Sequence, residues 1–348
     1  MRVLSSRFVR RILTGGDIGF ADSYVAGEWD TPDLAACLTA FAANFDAMAA
    51  MMKGQPWLRL GQALAHALNR NSRAGSRRNI HAHYDIGDDF YRLWLDAGMN
   101  YSSVLSFSPG DDLEAAQTRK HAALAQTMGL ERGQSVLEIG CGWGGFAAFA
   151  AREYDARVTA VTISPSQHAC TARRMQAAGL SDRVEVQLRD YRDVEGRFDR
   201  LASIEMFEAV GERYWPAYFA TVRDRLLPGG RAGLQVITID EALFDGYRRQ
   251  PDFIQLHVFP GGMLPSERRL RQETDAAGLA WTDLRRFGQG YADTLREWGR
   301  RFAAAEPQVR AQGFDRRFER LWRYYLAYCE AGFRTGRTDV VQLGLARG

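Results

Sequence analysis

The residues best suited to chemistry lie in a glycine-rich segment near the middle of the chain. In VLEIGCGWGG, residues 136–145, an apolar strand pattern passes through Glu138 into Gly140 and Gly142 and continues as an apolar helix pattern. Glycine has no Cβ, so such a turn can adopt positive φ and approach a ligand closely. The E-x-G-x-G-x-G spacing differs from the dinucleotide pattern G-x-G-x-x-G, which favours S-adenosylmethionine over NAD. A tight strand-to-helix turn without a ligand is the alternative.

The strand expected after this turn lacks the acidic end that often binds ribose hydroxyls. Residues 157–164, RVTAVTIS, end in hydroxyl and apolar side chains. Hydroxyls and a glutamine that follows them are therefore the expected ribose contacts, and an aspartate after the next strand is expected near the adenine. The residues expected to contact the ribose and adenine are Thr162, Ile163, Gln167, Asp190 and Tyr191.

Apolar alternation predicts the elements that position these residues. It indicates a doubly wound, mostly parallel α/β sheet. Together with the S-adenosylmethionine expected at the glycine turn, such a sheet predicts the Rossmann-like fold of a class I methyltransferase. The expected strands are 135–139, 157–163, 183–188, 200–204, 231–239, 281–287 and 340–345. The expected helices are 113–128, one beginning near Ser266, and 314–333, with a substrate-side insertion at 240–265.

The N-terminal part of the sequence predicts a small α-helical appendage. We place it at residues 1–78 and the S-adenosylmethionine-binding domain at 79–348, with one helix from Pro32 to Met51. The aromatic segment 81–101 leads into the main domain. It favours either a cover over an apolar pocket or ordinary packing between the appendage and the core.

Composition limits the classes of protein that fit. The chain has 348 residues, of which 46% are hydrophobic, so it can bury a full core. Its net charge of +3 is too small to argue for nucleic acid, and its four cysteines have no C-x-x-C spacing that would suggest a zinc site. No apolar run approaches the roughly 20 residues of a membrane span, and no signal-peptide pattern is present. We therefore expect a cytoplasmic protein.

One window of the sequence is strongly cationic. No acidic residue lies between Asp46 and Asp85, and residues 55–69 place apolar side chains at near-helical spacing. Such a helix suits an anionic membrane surface, and a helix packed on the main domain with a solvated edge is the alternative. The basic residues of this cationic window are Lys53, Arg59, Arg70, Arg73, Arg77 and Arg78.

Several longer motifs, taken together, resemble the cyclopropane-fatty-acid synthase family. They occur in the family's order and span about residues 80–348, and the appendage is similar to a shortened form of the family's helical lipid-docking region. The motifs are HYDIGDDFY (83–91), YS (101–102), LEIGCGWGG (137–145), VTISPSQ (161–167), RDYRD (189–193), MFEAVG (206–211), FPGGMLPS (259–266) and FGQGYADTL (287–295).

The resemblance implies a peripheral membrane enzyme that methylates unsaturated acyl chains of phospholipids. In this chemistry the alkene attacks the methyl group of S-adenosylmethionine and leaves a carbocation on the chain. Aromatic faces can stabilise such a cation by about 0.5–2 kcal/mol each. The candidates are Tyr84, Trp143, Phe207 and Tyr291, all of which also fit a protein core.

For the cofactor, the resemblance and the glycine turn agree. Gly140 and Gly142 are expected under the amino-acid moiety, with Glu138 supporting the turn or binding the ammonium group. Tyr101 and Ser102 are expected to close over the methionine end. The resemblance thus places the methyl donor at the carboxyl end of the first strand of the sheet.

The resemblance also implies a bound bicarbonate ion that removes a proton from the cation. Its ligands carry over to Cys141, Glu208, Gln235, Ile237 and Tyr291. Gln235 stands where the family has a histidine, and a glutamine can donate a hydrogen bond but cannot take a proton. Near Glu208, a further family histidine is replaced by Ala209.

These departures leave two products open. One is ring closure to a cyclopropane; the other, slightly favoured by Gln235, is proton loss to a methylene or methyl-branched chain. Two rival functions also remain: methylation of a small soluble acceptor, and lipid binding by a catalytically impaired relative. The expected location is the inner face of the cell membrane, and the oligomeric state is open, a homodimer included.

Overall fold

In the residues that the computed structural model describes, 1–44 and 86–348, seven strands form one sheet and two short strands pair only with each other. The short antiparallel pair is β1 (Arg2–Val3) and β2 (Trp29–Asp30). The main-sheet strands are β3 (Ser135–Ile139), β4 (Arg157–Thr162), β5 (Val184–Leu188), β6 (Phe198–Ile204), β7 (Leu226–Ile239), β8 (Leu279–Arg286) and β9 (Thr338–Arg347).

The sheet order confirms the predicted architecture. The strands lie in the order β5-β4-β3-β6-β7-β9-β8, and β5 to β7 are parallel. Only β9 is reversed, because it pairs antiparallel with both β7 and β8. The topology reverses direction around β3, where the chain steps outward to β4 and later returns to β6. Ligands of open α/β sheets bind outside the carboxyl ends of strands at such a point.

Helices cover both faces of the sheet, as the doubly wound class requires. Side chains of β3 alternate between two cores: Val136 packs with Phe146 on one face, and Leu137 packs with Trp215 on the other. The helices of the described residues are α1 (Arg7–Val25), α2 (Leu34–Ala43), α3 (Asp88–Arg92), α4 (Leu113–Thr127), α5 (Gly145–Tyr154), α6 (Pro165–Ala177), α7 (Trp215–Arg225), α8 (Glu241–Arg249), α9 (Phe253–His257), α10 (Glu267–Ala276), α11 (Gly288–Ala304), α12 (Glu306–Ala311) and α13 (Arg316–Arg334).

The predicted strands and helices differ from the observed ones mainly at their ends. The largest strand difference is β7, which begins at Leu226 rather than at Arg231 because Leu226 already pairs with Phe198 before a bulge. The helix expected from Pro32 begins instead at Leu34, since the Asp33 side chain caps it by accepting from the N–H of Ala36 at 2.8 Å.

Helices α1 and α2 pack against the last helix, α13. The guanidinium of Arg320 donates to the carbonyl oxygens of Tyr24 and Trp29 at 2.6 and 2.8 Å and lies 3.9 Å from the Tyr24 ring centroid. Phe20 and Leu38 join the same buried cluster as the aromatic residues of α13. The N-terminal helices are therefore held to the C-terminal end of the chain.

Several sequence-based predictions lie outside the described residues. These are the remainder of the helix expected to Met51, the amphipathic segment 55–69, the cationic window, Tyr84 and the domain boundary after residue 78. Among the described residues, no helix is both long and apolar enough to cross a membrane.

Candidate active site

A cavity of about 710 Å³ opens at the carboxyl ends of β3, β4, β6 and β7. It brings together almost every residue that the sequence singled out. The predicted residues that line it are Tyr101, Ser102, Glu138, Gly140, Cys141, Gly142, Thr162, Ile163, Gln167, Asp190, Tyr191, Glu208, Ile237 and Tyr291. Gln235 is fully buried and lies behind the lining, where it contacts a residue that faces the cavity.

The glycine turn exposes its backbone to this cavity. Gly140 and Gly142 have φ of 78° and 53°, values that a residue with a Cβ rarely adopts. A Cβ on Gly140 would lie 2.5 Å from the side chain of Met206, whereas a Cβ on Gly142 would project into open space. The turn therefore needs its glycines both for backbone conformation and for close packing, and it leaves room for a ligand at Gly142.

Glu138 is a buried carboxyl beside that turn. Burial raises its pKa to about 8, opposed by the nearby Lys120 ammonium. One of its carboxyl oxygens has no hydrogen-bond partner within the described ranges. Leaving a buried acceptor unsatisfied is costly, so this oxygen fits the ammonium group of a ligand such as S-adenosylmethionine.

The Tyr101–Ser102 pair is fixed by residues that sequence reasoning missed. From α4, the Gln117 side chain donates to the Ser102 carbonyl oxygen at 2.7 Å, and the Lys120 ammonium donates to Ser102 Oγ at 2.8 Å. The Tyr101 hydroxyl lies 2.6 Å from that of Tyr325. The sequence feature that could have indicated these two residues is their i, i+3 spacing, which places Gln117 and Lys120 on one face of a helix.

The predicted ribose residues contact one another at the end of β4. Thr162 Oγ1 donates to Gln167 Oε1 at 2.9 Å and accepts from the Ser164 N–H at 3.1 Å. Asp190 is paired with Arg192, whose Nε and Nη2 atoms lie 2.8 and 2.5 Å from its oxygens. Burial raises the pKa of the neighbouring Tyr191 to about 12, so its phenol is neutral. The predicted residues thus form one polar rim.

Two carboxyl groups, Glu205 and Glu208, face the cavity just after β6, and we call them the carboxyl pair. The predicted Glu208 accepts a hydrogen bond from the Ile237 N–H at 2.5 Å. This amide is available because the last registered pair of β6 and β7 is Ile204 with Gln235, so β7 continues past the end of β6. Burial and the charge of Glu205 raise the pKa of Glu208 to about 8. Its second oxygen has no partner among the described residues.

Glu205, the other member of the pair, was missed by sequence reasoning. Its Oε1 accepts from the Gln235 amide at 2.7 Å and from the Ser103 N–H at 2.9 Å, and its Oε2 accepts from the Tyr291 hydroxyl at 2.7 Å. Two residues predicted to bind bicarbonate therefore donate to this side chain. The sequence feature that could have indicated Glu205 is the presence of two glutamates in EMFE, residues 205–208.

Cys141 lies in the glycine turn as a buried thiol. Burial and the nearby Glu138 raise its pKa well above the ordinary value. A thiol in this state is a poor nucleophile, since the reactive form is the thiolate. Its role is therefore limited to lining the cavity and offering a weak S–H donor.

The far wall of the cavity is largely aromatic and aliphatic. It is built by the N-terminal helices, the insertion between β7 and α10, and α13. The principal wall residues are Ile18, Phe20, Leu38, Phe41, Tyr247, Phe253, Phe259, Tyr324, Tyr325 and Tyr328. Of the residues proposed to face a cation, Trp143 and Tyr291 line the cavity, whereas Phe207 packs with Trp215 and Phe219 in the core.

The sheet order, the glycine turn and the unsatisfied Glu138 together define an S-adenosylmethionine-dependent methyltransferase of the Rossmann-like class. Residues 71–343 match the family described as mycolic acid cyclopropane synthetase, and the chain belongs to that family. The match covers the first six strands of the main sheet in chain order, from β3 to β8, and every predicted cofactor and catalytic residue, whereas Ile18, Phe20, Leu38 and Phe41 of the cavity wall precede it.

Three relatives show the range of this similarity. The chain is 40% identical over 347 residues to tuberculostearic acid methyltransferase UfaA1 of Mycobacterium tuberculosis, covering 97% of this chain and 81% of that protein. It is 34% identical to the cyclopropane-fatty-acyl-phospholipid synthase of Escherichia coli, covering 100% of this chain and 88% of that protein. The structure of mycolic acid cyclopropane synthase CmaA1 complexed with SAH and CTAB superposes with a TM-score of 0.71 at 30% identity, covering 78% and 98% of the two chains.

Proposed function

We propose that this enzyme transfers the methyl group of S-adenosylmethionine to a double-bond carbon of an unsaturated fatty acyl chain in a membrane phospholipid. The observation that carries the proposal is the continuity of one cavity from the glycine turn to a long aromatic wall. Such a wall suits an acyl chain better than a small polar acceptor. The names of the relatives support the same substrate class, so methylation of a soluble acceptor and loss of catalysis are not favoured.

The residues of the cofactor end, from Tyr101 and Ser102 to the rim at Thr162 and Asp190, would hold the methyl donor. Glu138 would bind its ammonium group, and the backbone of Gly140 and Gly142 would lie along its amino-acid moiety. When bound, S-adenosylmethionine supplies an electrophilic methyl group. The chain's own contribution is to position the alkene against it and to keep water away.

After methyl transfer the acyl chain carries a positive charge. Trp143 and Tyr291 line the cavity and can each stabilise that charge by about 0.5–2 kcal/mol through their ring faces. The Tyr291 ring is held in place by stacking on Phe333, with centroids 4.3 Å apart. The same wall excludes water, which would otherwise capture the cation as an alcohol.

The resemblance implies a bicarbonate ion, but three of its five expected ligands are engaged elsewhere. Gln235 and Tyr291 donate to Glu205, and the Ile237 N–H donates to Glu208. A buried anion needs donors, and these three are already satisfied by protein carboxyl groups. The arrangement does not fit the ion as the resemblance placed it, so we derive no step through it.

Both products remain candidates. Gln235 and Ala209 depart from the cyclopropane pattern, and the relative named as a tuberculostearic acid methyltransferase supports a methylene or methyl-branched product. The relative named as a cyclopropane-fatty-acyl-phospholipid synthase supports ring closure. We favour the methylene or methyl-branched product.

The test is to incubate the enzyme with S-adenosylmethionine bearing a trideuterated methyl group and vesicles of mixed unsaturated phospholipids. Mass spectrometry of the released fatty acids would detect the label, and proton NMR would separate cyclopropane ring protons from vinylic or methyl-branch signals. Label in lipid supports the proposal. Label only in soluble acceptors, or cofactor binding without transfer to lipid, would overturn it.

We also propose that the enzyme is cytoplasmic and binds the inner face of the membrane through the cationic window between Lys53 and Arg78. Exposed charges on an anionic surface are screened by salt, so vesicle binding should weaken steeply as salt rises. Replacing Arg70, Arg73, Arg77 and Arg78 by glutamine should have the same effect. Binding that ignores both changes would contradict the proposal. A homodimer remains a prediction that light scattering can test.

A further inference from the structure

Glu205 occupies an unusual place in the backbone. It follows the last residue of β6 and has φ of 48°, a left-handed conformation that non-glycine residues rarely adopt. Its own N–H donates to the Gln235 carbonyl oxygen at 2.8 Å, which fixes the strained residue against β7. Such strain persists where the surrounding structure enforces it, and it is concentrated at functional sites.

The side chain of Glu205 takes the donors that the family resemblance assigned to an added anion. Three donors converge on its two oxygens: the Gln235 amide, the Ser103 N–H and the Tyr291 hydroxyl, at 2.7 to 2.9 Å. The orientation of the Gln235 amide is fixed because its oxygen accepts from Gln342 at 3.2 Å and its nitrogen also lies 3.3 Å from the Ser103 carbonyl oxygen. Glu205 itself lines the cavity.

The carboxyl pair divides the charge unequally. Two buried carboxyl groups close together cannot both ionise easily. The group that accepts more hydrogen bonds therefore carries the negative charge. Glu205 accepts three hydrogen bonds and is also attracted by the Lys120 ammonium, whereas Glu208 accepts one, from the backbone. Glu205 is therefore the ionised member, and Glu208 is the neutral one at neutral pH.

We propose that the Glu205 carboxylate is the base that takes the proton from the methylated acyl chain, at the place the resemblance gave to bicarbonate. The inference rests on the proposed function. A C–H bond of the chain or of the new methyl group breaks, and its electron pair forms a C=C bond or the last bond of a ring. The proton goes to a Glu205 oxygen, and the positive charge of the chain and the negative charge of the carboxylate disappear together.

Tyr291 and Gln235 act as positioning residues in this scheme. Their donors keep Glu205 ionised and aimed into the cavity while the cation forms. A tethered carboxylate needs no binding step for an external anion, which removes an entropic cost. The enzyme should therefore work without dissolved bicarbonate.

The first test measures methyl transfer to unsaturated phospholipid vesicles in buffer freed of carbon dioxide, with and without added bicarbonate. We expect less than about a twofold change for the wild type. Glu205→Gln should lose at least about a hundredfold in turnover, the scale of general-base catalysis, with unchanged affinity for S-adenosylmethionine by calorimetry. The exposed Glu195 gives the matched control Glu195→Gln, which should behave as wild type.

A second variant makes the test independent of one substitution. Glu205→Gly suits the positive φ and empties the space facing the three donors, so added formate or bicarbonate should restore part of its activity. Wild-type activity that collapses without bicarbonate, or near-normal turnover by Glu205→Gln, would overturn the inference and leave the proposed function standing. No transfer to lipid by the wild type under either condition would overturn both.

A pH profile separates a base from a merely structural glutamate. The groups facing Glu205 are Lys120 from α4, Tyr291 from α11 and Glu208 from the following turn. Tyr291→Phe removes a hydrogen bond that lowers the pKa of Glu205. The rise of turnover with pH should therefore occur at higher pH in this variant than in the wild type. A rise at the same pH in both proteins would contradict the assignment of Glu205 as the base.

Discussion

The two ends of the cavity are constructed differently. The part proposed to hold the amino-acid moiety of the cofactor is largely made by backbone, in the single segment 136–145 with its positive-φ glycines and one buried carboxyl, Glu138. The end that removes the proton is made by side chains from distant parts of the chain, since Ser103, Gln235 and Tyr291 all converge on Glu205. The first can be recognised from consecutive residues, whereas the second exists only once the sheet has formed.

This contrast separates chemistry that is fixed by backbone shape from chemistry that side chains can adjust within one site. A backbone turn tolerates few changes because its glycines are required for shape. A network of side chains can exchange one donor or acceptor for another without altering the sheet. Variation in product is therefore expected at the carboxyl pair, and failure to bind cofactor is expected at the turn.

Apart from Glu205→Gln, the largest effect should come from the cofactor end. Glu138→Gln removes a carboxyl group that can ionise to accept from the ammonium of S-adenosylmethionine, so the dissociation constant at pH 8 and above should rise about tenfold to a hundredfold, as for a charged hydrogen bond of about 1.5–3 kcal/mol. Because the pKa of Glu138 is about 8, wild-type affinity should improve from pH 6 to 8 as the carboxyl ionises more easily. Calorimetry checks both effects.

The control for this variant is Glu195→Gln, which alters an exposed carboxyl away from the cavity. Affinity in Glu138→Gln should lose most of its dependence on pH. Unchanged affinity in that variant would show that the turn binds the cofactor through its backbone alone.

The next effect concerns the carboxyl pair. Glu208→Gln should lower turnover at least about tenfold, because the resemblance assigns Glu208 to the proton-transfer site, where an amide cannot take or release a proton. The affinity for S-adenosylmethionine should stay near the wild-type value, since Glu138 is unchanged. Steady-state kinetics with vesicle substrate would check the prediction, and a near-normal rate would show that Glu208 was wrongly carried over from the family.

Much of the cofactor end was predictable from sequence because its signals are local. The turn, the strand ends at Thr162 and the aspartate at 190 follow from residue order and strand periodicity. Glu205 escaped prediction because its importance depends on register, which brings Gln235 beside the end of β6, and on α11, which carries Tyr291. The packing of the N-terminal helices on α13 was equally unpredictable from the sequence, because it brings together opposite ends of the chain.

A smaller effect should appear in product composition. Gln235→His replaces the amide that holds Glu205 with an imidazole that can carry a proton, and we expect more cyclopropane relative to methylene product. Altering one hydrogen bond of about 0.5–1.5 kcal/mol should change the ratio about two- to tenfold. Proton NMR of the fatty acids measures it, with the exposed Gln176→His as control. An unchanged ratio would remove Gln235 as the cause of product choice.

The smallest effect should be on stability, and it has a defined sign. Burial raises the pKa of Glu208 from an ordinary value of 4.5 to about 8, so the folded protein holds a proton that the unfolded chain releases. The stability due to this neutral carboxyl is complete below about pH 4.5 and is lost as pH rises to about 8.

Glu208→Gln does not titrate, so its melting temperature relative to wild type should rise between pH 5 and pH 8.5, by about 1–2 °C for each kcal/mol of lost wild-type stability. Thermal unfolding of the cofactor-free proteins at several pH values would measure this difference, and Glu195→Gln should show none. A difference that stays constant with pH would mean that Glu208 is ionised in the folded protein. The carboxyl pair would then carry two charges, and the division of roles between Glu205 and Glu208 would fail with it.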